Sequence, residues 1–283
     1  MIKIIECPRD AMQGLHEFIP TADKIRYLNS LLKVGFDSID FGSFVSPKAV
    51  PQMRDTAEVL ENLDLISTKS QLLCVIANEN GAKNAMQYPQ IQYVGFPLSV
   101  SETFQMRNTN KTIEQAWQAL QNIQNDCIIH SKQLIVYLSM AFGNPYGEDF
   151  SEEMIDEFVE KLAKIGIKII LLSDTIGVSQ AAQIDRMFKN LFSKFDLEIG
   201  AHFHSNPRTA VEKIRAAHLA GCIRFDTAVE GYGGCPFAKE ELTGNIDTQT
   251  LISYFAEKQI DTSLKMPEFA QAVKICRDIF PKR

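Results

Sequence analysis

The chain of 283 residues lacks several features that would assign it to a broad class of proteins. It has no cluster of lysine and arginine, and its formal net charge is −6, which disfavours nucleic acid or an anionic membrane as a partner. No apolar run approaches the roughly 18 residues that a membrane-spanning helix needs. No charged segment followed by an apolar segment opens the chain, so we expect a cytoplasmic protein.

Cysteine is present at six positions, but the chain contains no C-x-x-C pair. A disulfide framework is not expected in a chain that is 45% apolar and can bury a full core. The lack of clustered thiols also disfavours a closed structural zinc site. We interpret the cysteines as small buried residues. The glycines before Cys235 could bring it close to a ligand, although its spacing alone favours a packed residue there too.

No composition break, linker or low-complexity tract divides the chain, so we predict one domain. Eight short β-rich runs alternate with longer amphipathic stretches. The runs are almost continuously apolar, as parallel strands covered on both faces require. The predicted strands are residues 2–6, 38–41, 71–77, 91–98, 133–141, 167–173, 197–204 and 222–229.

The stretches between the runs predict helices. Eight strand–helix units favour an α/β fold of the (β/α)₈ type, the TIM barrel, over a doubly wound sheet. A dinucleotide-binding sheet would carry a glycine-rich turn where this chain has Cys7-Pro8-Arg9-Asp10. We predict a barrel over about residues 2–258 and an extra C-terminal helical segment over about residues 265–283. The predicted helices are residues 21–34, 48–61, 80–87, 111–131, 151–164, 179–194, 207–220, 247–257 and 267–280.

The sequence His202-Phe203-His204 ends the seventh predicted strand. A strand sends residues i and i+2 to the same side, so both imidazoles should point one way. Two neighbouring imidazoles favour a divalent metal, although this pair alone is a weak motif. Amidohydrolases, by resemblance, carry such a pair on the first strand, which makes that class a poor match.

A TIM barrel carries its chemistry at the carboxyl ends of its strands. Asp10 is the natural carboxylate partner of the histidines, because the first and seventh strands lie near the barrel's closure. One carboxylate with two imidazoles suits Mg²⁺, Mn²⁺, Zn²⁺ or Fe²⁺ without choosing among them. Arg9 would add a positive charge for an oxyanion or enolate. Each residue also has a structural interpretation: Arg9 and Asp10 as an ion pair, and Asp174 as a cap or turn residue.

Six segments, taken in order, resemble the motifs of the 3-hydroxy-3-methylglutaryl-CoA lyase family, metal-dependent carbon–carbon lyases on a TIM barrel. Residues 6–13 are similar to the PRDGLQ signature of that family, and the resemblance extends from Ile2 to about Tyr254. The other segments are residues 43–48 with 50–53, 143–146, 174–177, 202–204, and 233–238 with 244–245.

The resemblance implies retro-Claisen cleavage of 3-hydroxy-3-methylglutaryl-CoA to acetyl-CoA and acetoacetate, a step of leucine degradation. It implies Mg²⁺ or Mn²⁺, with Zn²⁺ possible in a crystal, and an acyl-CoA substrate on a homo-oligomer. The implied metal ligands are Asp10, His202, His204 and Asn245. The implied substrate-binding residues are Arg9, Gln13 and Ser43. The implied catalytic residues are Cys235 as the thiol acid, Arg9 at the enolate, His202 or Asp40 as the base, and Asp174.

Two residues depart from the family pattern. Asp40 stands where the family has glutamate, so its reach is one methylene shorter. Ser205 follows the second histidine where the family usually has aspartate, which raises the question of what orients the imidazoles. Two alternatives therefore stay open: a related aldolase or Claisen-type synthase on a different acyl-CoA or 2-oxo acid, and a non-catalytic sensor of a CoA ester.

Overall fold

Eight parallel strands form a closed barrel in the computed structural model of this chain, which describes residues 1–234 and 243–281. Each strand pairs with the next along the chain, and β8 pairs with β1 to close the ring. This confirms the predicted TIM barrel. The barrel strands are β1 (Lys3–Glu6), β2 (Ser38–Ser43), β3 (Gln71–Val75), β4 (Ile91–Ser99), β5 (Gln133–Ser139), β6 (Ile169–Asp174), β7 (Glu198–Ser205) and β8 (Arg224–Thr227). A short ninth strand, β9 (Gly244–Asn245), pairs antiparallel with the end of β7.

Helices surround this ring, and the C-terminal helix predicted from the sequence is present. The α-helices are α1 (Pro8–Gln13), α2 (Thr21–Leu31), α3 (Thr56–Glu61), α4 (Glu79–Met86), α5 (Glu102–Thr109), α6 (Ile113–Ile129), α7 (Glu152–Lys164), α8 (Ala181–Lys194), α9 (Ala210–Leu219), α10 (Thr248–Glu257) and α11 (Met266–Ile279). Short 3₁₀ turns cover Pro51–Met53 and Val229–Gly231. Among the described residues, no helix combines the length and apolar character needed to cross a bilayer.

Three local features of the structure differ from the predicted elements. The helix predicted over residues 48–61 is a 3₁₀ turn followed by α3, since Pro51 begins the turn and the chain bends again before Thr56. The turn predicted at residues 7–10 is the start of α1, with Pro8 in its first turn, where a missing N–H costs nothing. Helix α5 was not predicted, because it buries only Phe104 and Gln105 and so carries no apolar stripe.

Strand alternation divides the core into two layers. Phe203 of β7 points outward and packs against Phe142 and Phe188, with ring centroids 5.5 and 6.3 Å away. Its neighbours in β7 therefore point into the barrel. The barrel interior holds a separate apolar cluster of Leu73, Ile135, Tyr137, Ile169 and Leu171. The five cysteines within the described residues are all free and buried, as predicted.

A fully buried arginine closes the amino-terminal end of the barrel. Nη1 of Arg224 lies 2.8 Å from Oε1 of Glu198, and Nζ of Lys3 lies 2.5 Å from Oε2 of the same carboxylate. Gly200 makes room for this arginine. A Cβ at position 200 would lie 2.5 Å from Cδ1 of Leu171 and 3.0 Å from Cγ of Arg224.

We therefore expect Gly200→Ala to destabilise the fold by about 1–3 kcal/mol, because the added methyl overpacks the barrel interior. Gly14→Ala is the matched control, since no heavy atom lies within 4 Å of a Cβ built there. The control should stay within about 0.5 kcal/mol of the parent. Urea unfolding measures both variants, and equal unfolding free energies would contradict this view of the core.

Candidate active site

Three side chains that could bind one metal ion meet at the carboxyl end of the barrel. Asp10, His202 and His204 each offer a ligand atom, and these atoms lie within 4.8 Å of one another. Asp10 lies on α1, directly after β1, and both histidines lie at the end of β7. Pairing of β1 with β8 and of β8 with β7 brings these ends together. The donor set of one carboxylate and two imidazoles fits a divalent metal.

Both imidazoles are oriented through Nδ1. His204 Nδ1 lies 2.8 Å from the carbonyl oxygen of Thr175, which can only accept, so Nδ1 carries the proton. His204 Nε2 is buried and has no hydrogen-bond partner among the described residues. His202 Nδ1 lies 3.1 Å from Oδ2 of Asp226. In both rings Nε2 is therefore the nitrogen that can bind a metal.

Asn245 lies beside this cluster. In β9 it pairs with His204, and its Nδ2 donates to Oδ2 of Asp10 at 2.6 Å and to the carbonyl of Tyr232 at 2.9 Å. With the amide nitrogen used in this way, the side-chain oxygen is the ligand atom that Asn245 offers. Gly233, at φ +94°, permits this approach, because a Cβ there would lie 2.5 Å from Nδ2 of Asn245.

Arg9 is held in a fixed position by its neighbours. Its Nε donates to Asp40 Oδ2 at 2.9 Å, and its Nη2 lies 2.6 Å from the same oxygen. Its Nη1 donates to Oε1 of Gln13 at 2.6 Å and lies 3.3 Å from Oδ1 of Asp10. The shorter side chain of Asp40 therefore still reaches Arg9, and the guanidinium presents a preorganised positive charge beside the candidate metal ligands.

The charges of the cluster are mutually dependent. Burial alone would raise the pKa of Asp10, but Arg9 and the two histidines outweigh burial and hold that pKa below its usual range. Burial also works against protonation of His202, yet the hydrogen bond and charge of Asp226 raise its pKa. Burial and the neighbouring His202 lower the pKa of His204. Burial raises the pKa of Asp40 to about 6, despite the attraction of Arg9.

Asp174 does not join the cluster, although the resemblance implied a catalytic aspartate there. Its carboxylate accepts from the backbone N–H groups of Val178 and Ser179 at 2.9 and 3.1 Å and from Nζ of Lys213 at 2.6 Å. Its neighbours Ser173 and Thr175 line the cavity instead. The structure thus places Asp174 as a residue that holds the loop after β6, while Cys235 lies outside the described residues.

A cavity of about 600 Å³ opens over the cluster. Its lining includes the polar side chains of the cluster and their neighbours as well as apolar side chains: Arg9, Asp10, Gln13, Ser43, His202 and His204 on the polar side, and Val45, Val75 and Phe104 among the apolar ones. Three features of the site were not predicted from the sequence: Asp226, the carbonyl of Thr175 and the cavity-lining Tyr137. The spacing Arg224-Phe225-Asp226 was a usable signal, because it places two charges on one face of a strand.

Comparison with known proteins agrees with this geometry. A family model described as HMGL-like matches residues 2–275. The chain belongs to the HMGL-like family. A hydroxymethylglutaryl-CoA lyase of Bacillus subtilis is 31% identical to this HMGL-like protein over 268 residues, 94% of this chain and 89% of the relative.

Two further relatives span nearly the whole HMGL-like chain. A 3-hydroxy-3-isohexenylglutaryl-CoA/hydroxymethylglutaryl-CoA lyase of Pseudomonas aeruginosa is 31% identical over 278 residues, covering 97% of this chain and 92% of the relative. The solved structure of an HMG-CoA lyase from Acinetobacter baumannii, in complex with coenzyme A and 3-methylmalate, is 31% identical with a TM-score of 0.91. That match covers 99% of this chain and 91% of the other.

We expect metal affinity to fall as the pH is lowered, because a metal and a proton compete for Nε2 of His202. The raised pKa of His202 places the start of this loss above the ordinary histidine value of 6.5. Below that pKa the affinity should fall by about tenfold per pH unit. Mn²⁺ titration at constant ionic strength, followed by electron paramagnetic resonance, measures this. A constant affinity from about pH 8 to about pH 5.5 would contradict it.

Proposed function

We propose that this protein is a hydroxymethylglutaryl-CoA lyase that cleaves 3-hydroxy-3-methylglutaryl-CoA to acetyl-CoA and acetoacetate with the help of Mg²⁺ or Mn²⁺. The observation that carries the proposal is the cluster of Asp10, His202 and His204 beside the fixed guanidinium of Arg9, all four of which line one cavity. Membership of the HMGL-like family supports the same reaction. By the same resemblance, we propose a cytoplasmic homo-oligomer that acts in leucine degradation.

The metal would be held by Asp10, His202, His204 and Asn245. When bound, it supplies a positive charge that lowers the pKa of the substrate's tertiary hydroxyl. Loss of the hydroxyl proton lets the C2–C3 bond break, so that acetoacetate leaves and the electron pair remains on the thioester enolate. Arg9 lies where its guanidinium can stabilise that negative charge. The enolate carbon then takes a proton, for which we propose the thiol of Cys235.

Two residues were candidates for the base that accepts the hydroxyl proton. His202 cannot accept it while Nε2 binds metal and Nδ1–H is donated to Asp226, because both nitrogens are then occupied. Asp40 keeps a carboxylate whose pKa of about 6 suits a base at neutral pH. Its two oxygens accept from Nε of Arg9 at 3.2 and 2.9 Å, and Arg9 in turn lines the cavity. We therefore assign the base to Asp40, with Gln13 and Ser43 as substrate-binding residues.

The proposed activity is tested by mixing purified protein with Mn²⁺ and 3-hydroxy-3-methylglutaryl-CoA and measuring acetoacetate. We expect turnover that a chelator abolishes and that added metal restores. His204→Gln should abolish turnover, because it removes an Nε2 ligand, whereas His130→Gln should retain it, since His130 is exposed at the end of α6. No acetoacetate above background from the folded parent protein would overturn the proposal.

A parallel assay with 3-hydroxy-3-isohexenylglutaryl-CoA measures how well the site tolerates a larger group at C3 of the substrate.

The assignment of the base predicts a change in the pH profile. Asp40→Asn should lower kcat by about 10²–10⁴-fold and remove the rise in kcat through about pH 6. Asp55→Asn is the matched control, because Asp55 also forms a buried ion pair, with Nζ of Lys24 at 2.7 Å, but away from the cavity. A profile that keeps its rise in Asp40→Asn would show that Asp40 only holds Arg9.

A further inference from the structure

Strand β8 places two charged residues inside the barrel, beneath the histidines. Phe225 points outward and packs against Phe255, with ring centroids 5.7 Å apart. Strand alternation therefore sends its neighbours Arg224 and Asp226 inward, where they are 0% and 2% exposed. A buried charge carries a desolvation cost, so its position needs a physical explanation.

The buried charge of Arg224 is compensated by Glu198 at the amino-terminal end of the barrel, but Asp226 has a different environment. Oδ2 of Asp226 lies 3.1 Å from Nδ1 of His202. Its Oδ1 is buried and has no hydrogen-bond partner within residues 1–234 and 243–281. By contrast, Glu198 accepts from both Lys3 and Arg224. The hydrogen bond of the Asp226 side chain is thus directed at the imidazole.

The two imidazoles have unequal support. His204 donates Nδ1–H to a backbone carbonyl, whose position is fixed by the end of β6. His202 faces a carboxylate, which carries a full negative charge in place of a carbonyl dipole. A charged acceptor favours the tautomer with the proton on Nδ1 and makes the opposite nitrogen a stronger ligand. The rings of Tyr137 and His204 pack against His202 at centroid distances of 5.4 Å each, and they limit its tilt.

This support also answers the question raised by Ser205. Oγ of Ser205 lies 2.9 Å from Oγ1 of Thr209 and donates to the carbonyl of Asn206, so this hydroxyl is engaged in the loop after β7. Residue 205, where the family usually has an aspartate, therefore does not orient the imidazoles in this chain. A carboxylate from β8 and a carbonyl from the end of β6 do so.

We propose that Asp226 is a positioning residue that fixes His202 with its proton on Nδ1 and its Nε2 directed at the metal. The proposal deepens the proposed function, on which it rests for the use of that metal in the lyase reaction. Because the charge of Asp226 is the active feature, a neutral side chain of the same shape should not replace it.

Asp226→Asn tests the role of this charge in the absence of substrate. Mn²⁺ titration followed by electron paramagnetic resonance should give a dissociation constant about 10–100-fold higher than in the parent protein. Glu198→Gln is the matched control, because it removes a half-buried negative charge from the amino-terminal end of the same barrel without contacting His202. The control should bind Mn²⁺ within about twofold of the parent. Equal affinity in Asp226→Asn and the parent would overturn the proposal.

A second measurement does not depend on whether Asp226→Asn folds. Nitrogen-15 NMR of histidine-labelled, metal-free parent protein at alkaline pH reports which ring nitrogen of His202 carries the proton. We expect Nδ1–H, and a proton on Nε2 would overturn the proposal. Acetoacetate is not a readout in either experiment. An inactive parent protein would therefore overturn the proposed function while leaving the role of Asp226 intact. Unchanged Mn²⁺ affinity in Asp226→Asn would overturn the role of Asp226 while leaving the proposed function intact.

Discussion

The buried carboxylate of Asp10 is the interaction on which the rest of the site depends. It accepts from Gln13 and Asn245 at 2.6 Å each and lies beside Arg9 and the two histidines. A negative charge in such a place is stable only when positive charge compensates it. Four separate elements must converge to build this arrangement: α1, β2 through Asp40, β7 and β9. Closure of the barrel through β8, which pairs with both β1 and β7, therefore builds a candidate metal site from residues far apart in sequence.

The fold was largely predictable from the sequence because its signals are local. Continuous apolar runs between amphipathic stretches indicated eight βα units, and each of the eight strands was found within a few residues of its predicted position. The errors fell where local pattern is weak. Helix α1 is too short to show a period, and α5 buries only two side chains. Pro51 divides a stretch that hydrophobic spacing alone had joined.

The site was predictable only in part, because strand ends do not reveal which face a residue takes. His202 and His204 share a face by alternation, and the structure brings Asp10 to them. Asp174 was expected at the site, but it lies one residue out of phase, between the cavity-lining Ser173 and Thr175.

Asp226 was missed because its partner, His202, lies on another strand. Asn245 was identifiable only through the family resemblance, since a glycine–asparagine pair also suits a turn.

The barrel gathers one carboxylate and two imidazoles in a position to bind a single cation. The most direct test is a crystal structure of the protein soaked in Mn²⁺, with the ion located by its anomalous scattering. We expect one peak within coordination distance of Asp10 and of Nε2 of both His202 and His204. A peak elsewhere, or none at the barrel mouth in a crystal that binds Mn²⁺ at other positions, would contradict the account.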